Sequence, residues 1–115
     1  MFVTLTTVPF IDTWDTSSVT TMYSLFEGCI NFDDYIGSWN TAGVTTMENM
    51  FQSNYLFNQD ISSWDVNNVT NMGSMFYNST LFNQDISGWK TFNVTNMSSM
   101  FAGASSFNQD LSSCL

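Results

Sequence analysis

Residues 64–88 read WDVNNVTNMGSMFYNSTLFNQDISG, and nearly the same line occurs four times without a gap. Trp14, Trp39, Trp64 and Trp89 lie 25 residues apart, and Cys114 stands where a fifth Trp would fall. An uninterrupted period of this length predicts a repeat architecture in which each copy is one coil stacked on the last. The copies are 14–38, 39–63, 64–88 and 89–113. Residues 1–13 form a β-rich edge and partial repeat before them, and 114–115 close the chain.

Superposing the copies exposes seven apolar columns. They are headed by Trp64, Val69, Met72, Met75, Phe76, Phe82 and Ile86 in the third copy. Such columns must point inward and stack on their own equivalents. The apolar burial available to a single copy is smaller than the entropy of ordering its backbone, so a copy should fold only when stacked.

Local patterns suggest how each coil is built. Phe107-Asn108-Gln109-Asp110-Leu111-Ser112 and its equivalents read as a short strand, and the β-branched segment from Val3 to Val8 reads as another. Met97 to Phe101 has apolar residues at i, i+3 and i+4, predicting one helical or 3₁₀ turn, and Thr70 or Asn71 can cap the turn that starts at Met72. The stretches EGCIN (27–31), YNSTL (77–81) and AGASS (102–106) differ between copies and read as surface loops. The expected fold class is therefore a repeat solenoid, leucine-rich-repeat-like. Its coils are right-handed, 25 residues long, each with a short parallel β-strand and a short helical or 3₁₀ turn.

The composition narrows the function. A net charge of −9, with Lys90 the only basic side chain and no Arg or His, leaves nothing to neutralise phosphates, so nucleic-acid binding is not expected. Anionic membrane surfaces are disfavoured for the same reason. No apolar run approaches the roughly 18 residues of a membrane span. The opening MFVTLTTVPF lacks a basic n-region and is not expected to be a signal peptide. Cys29 and Cys114 are more than three coils apart; at roughly 4.8 Å per coil they are too distant for a disulfide and read as unpaired thiols.

Catalysis is not expected: no residue is a candidate catalytic group, and neither cysteine has a base within its own copy. The acids that align are Asp60, Asp85 and Asp110. Paired carboxylates hydrolyse glycosides, but they need different environments, whereas a ladder supplies equivalent ones. Each Asp can instead cap the adjoining turn through backbone N–H groups. The alternative is a metal site on Asp60, Asp85 and Asp110, for which Ca²⁺ is the fitting hard cation. Asn58, Asn83 and Asn108, with Gln59, Gln84 and Gln109, read as amide ladders from coil to coil. Asn68, Asn78, Asn93 and Asn96 head Asn-x-Ser/Thr sequons, candidate glycosylation sites that also arise from the repeat itself.

The segment VTNMSSMFAGASSFNQDLS (94–112), with Trp89 before it, resembles the surface-protein repeat of mycoplasma lipoproteins of unknown function, a family related to BspA-type leucine-rich repeats. The resemblance covers residues 14–113. It implies a leucine-rich-repeat-like solenoid on secreted or surface-anchored proteins, often linked to adhesion, and no catalytic residues. Two departures stand out: Asp33-Asp34-Tyr35 replaces Asn-Gln-Asp in the first copy, and there is no lipobox cysteine or anchor. The expected function is a non-enzymatic extracellular or cell-surface module for adhesion or recognition of protein or glycan. The rival expectation is a structural subunit that stacks head to tail into an extracellular filament.

Overall fold

In the computed structural model, which describes residues 11–112, the backbone hydrogen bonds follow the sequence period. Met22, Ser24, Phe26 and Gly28 donate their N–H groups to the carbonyls of Thr46, Glu48, Met50 and Gln52 at 2.8–3.0 Å. Met47, Asn49, Phe51 and Ser53 donate in turn to Asn71, Gly73, Met75 and Tyr77, and the third copy repeats the row onto the fourth. Successive copies thus lie as layers in register. Between these donors, the N–H groups of Leu25, Glu27 and Cys29 close turns onto Met22, Ser24 and Phe26. Alternate N–H groups serve the next layer and the layer's own turns.

That alternation overturns the expected fold class. The chain does not form a leucine-rich-repeat-like solenoid of right-handed coils with a parallel strand and a helical turn in each. Among the described residues the only helical element is the 3₁₀ turn Ile11–Thr13. Extended pairing among the described residues is limited to isolated parallel bridges joining Thr21, Thr46, Asn71 and Asn96, with no sheet. The body is a compact globule, 34 × 32 × 19 Å, with a radius of gyration of 12.9 Å, against about 13 Å for a compact domain of this size.

The physical reasons are local. The equivalents of the Met97–Phe101 segment at Met22–Phe26, Met47–Phe51 and Met72–Phe76 cannot be helical, because every second N–H is captured by a neighbouring layer. Ser24, Asn49, Ser74 and Ser99 also sit at φ of 53–57°, a left-handed conformation that ends any helix. Four residues on, Gly28 and Gly103 hold φ of 70° and 74°, the third position of a turn that favours glycine. The expected strand at 107–112 fails for another reason: its backbone pairs with side chains. Asn83 and Asn108 donate their N–H groups to the Oδ1 of Asn58 and Asn83 at 2.9 Å. Gln84 and Gln109 donate Nε2 to the carbonyls of Asn58 and Asn83 at 2.9 and 3.1 Å. Amide side chains therefore take the place of a strand's backbone partners. The expected β-edge from Val3 to Val8 lies outside the described residues, as does Cys114.

The apolar columns do form the core. Trp64, Val69, Met72, Met75, Phe76, Phe82 and Ile86 are all buried. Phe26, Phe51, Phe76 and Phe101 stack with centroids 5.5–5.8 Å apart. Phe32, Phe57, Phe82 and Phe107 form a second stack at 5.8–6.0 Å. Within a layer, Phe76 and Phe82 lie 4.0 Å apart. Each buried Trp carries a polar N–H that must find a partner. Trp39, Trp64 and Trp89 donate Nε1 to the carbonyls of Ile11, Ile36 and Ile61 at 2.8, 3.0 and 3.1 Å. Each of these three indoles therefore ties the chain to a carbonyl 28 residues earlier.

Two substitutions test this packing. Trp64→Ala removes a buried ring and its indole bond to the Ile36 carbonyl, which keeps only the Trp39 N–H; it should cost about 3–5 kcal/mol in urea unfolding. Asn54 is fully buried with Nδ2 unpartnered, whereas Ser79, one layer on, donates Oγ to the Phe51 carbonyl at 2.6 Å. Asn54→Ser removes this unsatisfied donor but gives up the bond from the Phe57 N–H to Asn54 Oδ1 at 3.2 Å, so it should raise stability by about 1 kcal/mol.

Candidate functional site

The sequence directs attention to the carboxylate column, and the structure places Asp60, Asp85 and Asp110 on the surface in successive layers. Each caps a local turn. Oδ1 of Asp60 accepts the Ser62 N–H, that of Asp85 the N–H and Oγ of Ser87, and that of Asp110 the Ser112 N–H, at 2.6–2.9 Å. The serine hydroxyl and N–H hold Asp60 and Asp85 below the ordinary carboxylate range, and the Ser112 N–H and hydroxyl do the same for Asp110. The neighbouring Asp85 charge pushes Asp60 the other way, less than the Ser62 hydrogen bonds lower it.

In the first layer the pair is replaced as a unit. Tyr35 stands in the Asp column and Gly37 in the Ser column, and the Tyr35 ring lies where a side chain on Gly37 would project. Among the described residues, no group of three or more His, Cys, Asp or Glu is placed to hold a metal ion.

The sequon asparagines are built into the layer contacts. Asn68 and Asn93 donate Nδ2 to the carbonyls of Ala42 and Asn67 at 2.8 and 2.7 Å. Asn96 Oδ1 accepts the N–H and Oγ of Ser98, and Asn78 sits at φ 56° with its amide against Gly103. The turn cap before Met72 is Asn71, whose Oδ1 accepts the Gly73 N–H at 2.9 Å. Cys29 is buried, and burial pushes its thiol up.

What sequence reasoning located only as variable loops carries the exposed apolar surface. Ile30, Tyr55, Leu56 and Leu81 are 52%, 44%, 40% and 47% exposed. Ile30 and Tyr55 share one column; Leu56 and Leu81 share the next. The loops are in register across layers, since Thr80 donates Oγ1 to the Tyr55 carbonyl at 3.4 Å. The four side chains therefore form one diagonal strip across three layers. In the fourth layer the same positions are Ser105 and Ser106. The signal lay in the columns where copies disagree, because only there is the side chain released from stacking. Tyr23, Tyr35 and Phe92 are exposed as well, Phe92 at 82%.

A layered body with no strand ladder among the described residues, held by amide, indole and backbone rungs at a fixed period, defines a class of repeat-built protein with a chemically repetitive interior. The chain belongs to the family described as Mycoplasma protein of unknown function, DUF285, which it matches over residues 1–114. The match is to this mycoplasma family and not to BspA-type leucine-rich repeats. No curated protein and no solved structure matches the chain. Among the described residues, no helix is long and apolar enough to cross a membrane.

The capping role of the carboxylates has a pH signature. A carboxyl whose folded pKa is lowered stabilises the fold above its ordinary range and loses that contribution as pH falls through the lowered value. Ser87→Ala should move the Asp85 pKa up towards the ordinary range, followed by carboxyl NMR titration, while Asp60 stays where it is.

Proposed function

We propose that this chain is a non-enzymatic recognition module, extracellular or on the cell surface, that holds another protein along the strip formed by Ile30, Tyr55, Leu56 and Leu81. The observation that carries this reading is the contrast between layers. The fourth layer keeps its turns with Ser105 and Ser106 in these positions, so the fold does not require apolar side chains there. Aromatic and aliphatic groups on a surface that the fold leaves unconstrained fit the apolar centre of a protein contact. An apolar strip favours protein over glycan as the ligand. The extracellular placement rests on the resemblance to surface-protein repeats. The non-enzymatic reading rests on a chain without His or Arg and with carboxylates engaged as turn caps.

Beads coated with the chain and offered to cultured epithelial cells test the proposal. The variant Ile30→Ser, Tyr55→Ser, Leu56→Ser, Leu81→Ser copies the fourth layer and should keep its melting temperature while adhesion falls about tenfold or more. Protease treatment of the cells should remove wild-type binding. Equal adhesion by the two proteins, or loss only after glycosidase treatment, would overturn the reading.

A further inference from the structure

The apolar strip and the carboxylate column run side by side across the layers. Leu56 and Asp60 are four residues apart, as are Leu81 and Asp85, so at most about 14 Å of chain separates the two tracks. Between them lie the buried rings of Phe57 and Phe82 and the uncharged amides of Asn58, Gln59, Asn83 and Gln84. Asp60, Asp85 and Asp110 are exposed in consecutive layers. The turn caps use Oδ1 of each, and the serine bonds keep all three ionised at neutral pH. Lys90, the only basic side chain, stands in the column of Asp15 and Asp65, so no cation of this chain belongs to the carboxylate track.

Both tracks advance by one layer at a time. Backbones paired edge to edge repeat at about 4.8 Å, and the Phe stacks set equivalent side chains 5.5–6.0 Å apart. One turn of an α-helix advances about 5.4 Å, between those two figures. Same-face residues of an extended strand advance about 6.7 Å, beyond both. A helix is also about 10–12 Å across, wide enough to cover the strip with one face and reach the carboxylates with its flank.

We infer that the strip holds an amphipathic, Lys- or Arg-rich α-helix of another protein, lying along the stack axis with its basic flank over Asp60, Asp85 and Asp110. Apolar side chains on successive turns then meet Ile30, the pair Tyr55 and Leu56, and Leu81, one layer per turn. Basic side chains beside them, also one per turn, meet the carboxylates. Charge selects this occupant over its rivals. A second copy would set its own carboxylates against these, and an anionic bilayer would be repelled. This occupant presupposes the recognition role of the strip and gives it a partner class.

Fluorescence anisotropy with a labelled peptide of about 18 residues, Leu on one face and Lys on the other at helical spacing, tests the match. The wild-type chain should bind it, and affinity should fall about tenfold or more as NaCl rises from about 0.05 to 0.5 M. The variant Asp60→Asn, Asp85→Asn, Asp110→Asn should stay folded, because Asn71 and Asn96 close similar turns through Oδ1. Its affinity for the peptide should fall about tenfold or more. Asp12→Asn, Asp15→Asn, Asp65→Asn makes the same change in net charge away from the column and should bind like wild type. Leu and Lys in strict alternation, the spacing of a strand, should bind about tenfold more weakly, as should a helical peptide with Glu for Lys. No binding by the wild-type chain, equal binding of either control peptide, or equal losses in the two triple variants would overturn the inference. So would wild-type binding to uncharged phosphatidylcholine vesicles in place of the peptide. On cells, loss of adhesion by the four-serine variant with none by the Asp60, Asp85 and Asp110 variant overturns the helix and leaves the recognition role standing. Full adhesion by both removes the two together.

Discussion

The structure depends on hydrogen bonds between residues one period apart. A buried backbone group without a partner costs as much as a lost hydrogen bond, so a chain that forgoes helices and strands must satisfy its peptide groups by other means. Here the partner is a residue about one period away, in the neighbouring layer. At each of the three seams five backbone N–H groups find acceptors 24 or 25 residues away, and the Trp indole and Gln amide find theirs at 28 and 26. Any side chain that altered the layer spacing would break all of these together, and the Phe and Trp stacks set that spacing.

Much of this was legible in the columns. The identity of Trp64, Phe76, Phe82 and Ile86 with their counterparts located the core, and the Asn and Gln columns announced amide rungs. Local structure was not legible. The period-based reading treated Phe-Asn-Gln-Asp-Ile-Ser as a strand because it alternates, yet the Asn and Gln side chains compete for the very groups a strand would pair. Met97 to Phe101 has helical spacing, but apolar spacing records only which side chains face inward. It carries no information about Ser99 adopting φ 57°, nor, in the three earlier copies, about a neighbouring layer drawing off every second N–H.

The candidate site shows the same division. Asp60, Asp85 and Asp110 were conspicuous because they repeat, and repetition marked them as structural: each serves the serine two residues on. Ile30, Tyr55, Leu56 and Leu81 were inconspicuous because they do not repeat. In a chain where recurrence means packing, departure from recurrence marks surface available for something else. No single-copy motif could have revealed that; only the comparison of one layer with the next does.

Layers this alike pose a problem for folding. A copy displaced by one full period would find nearly every donor, acceptor and ring it needs, so such misthreaded arrangements are close competitors of the native one. The departures between layers are what separate them. A side chain on Gly37 would run into the Asp60 carbonyl and the Tyr35 ring, and one on Gly103 into the Asn78 amide. Ser53 at the position of Gly103 would meet the Asn78 amide, and Tyr35 accepts only its own Gly37 beside it. These two glycines act as keys that fit one lock each, telling otherwise interchangeable copies which neighbour is theirs.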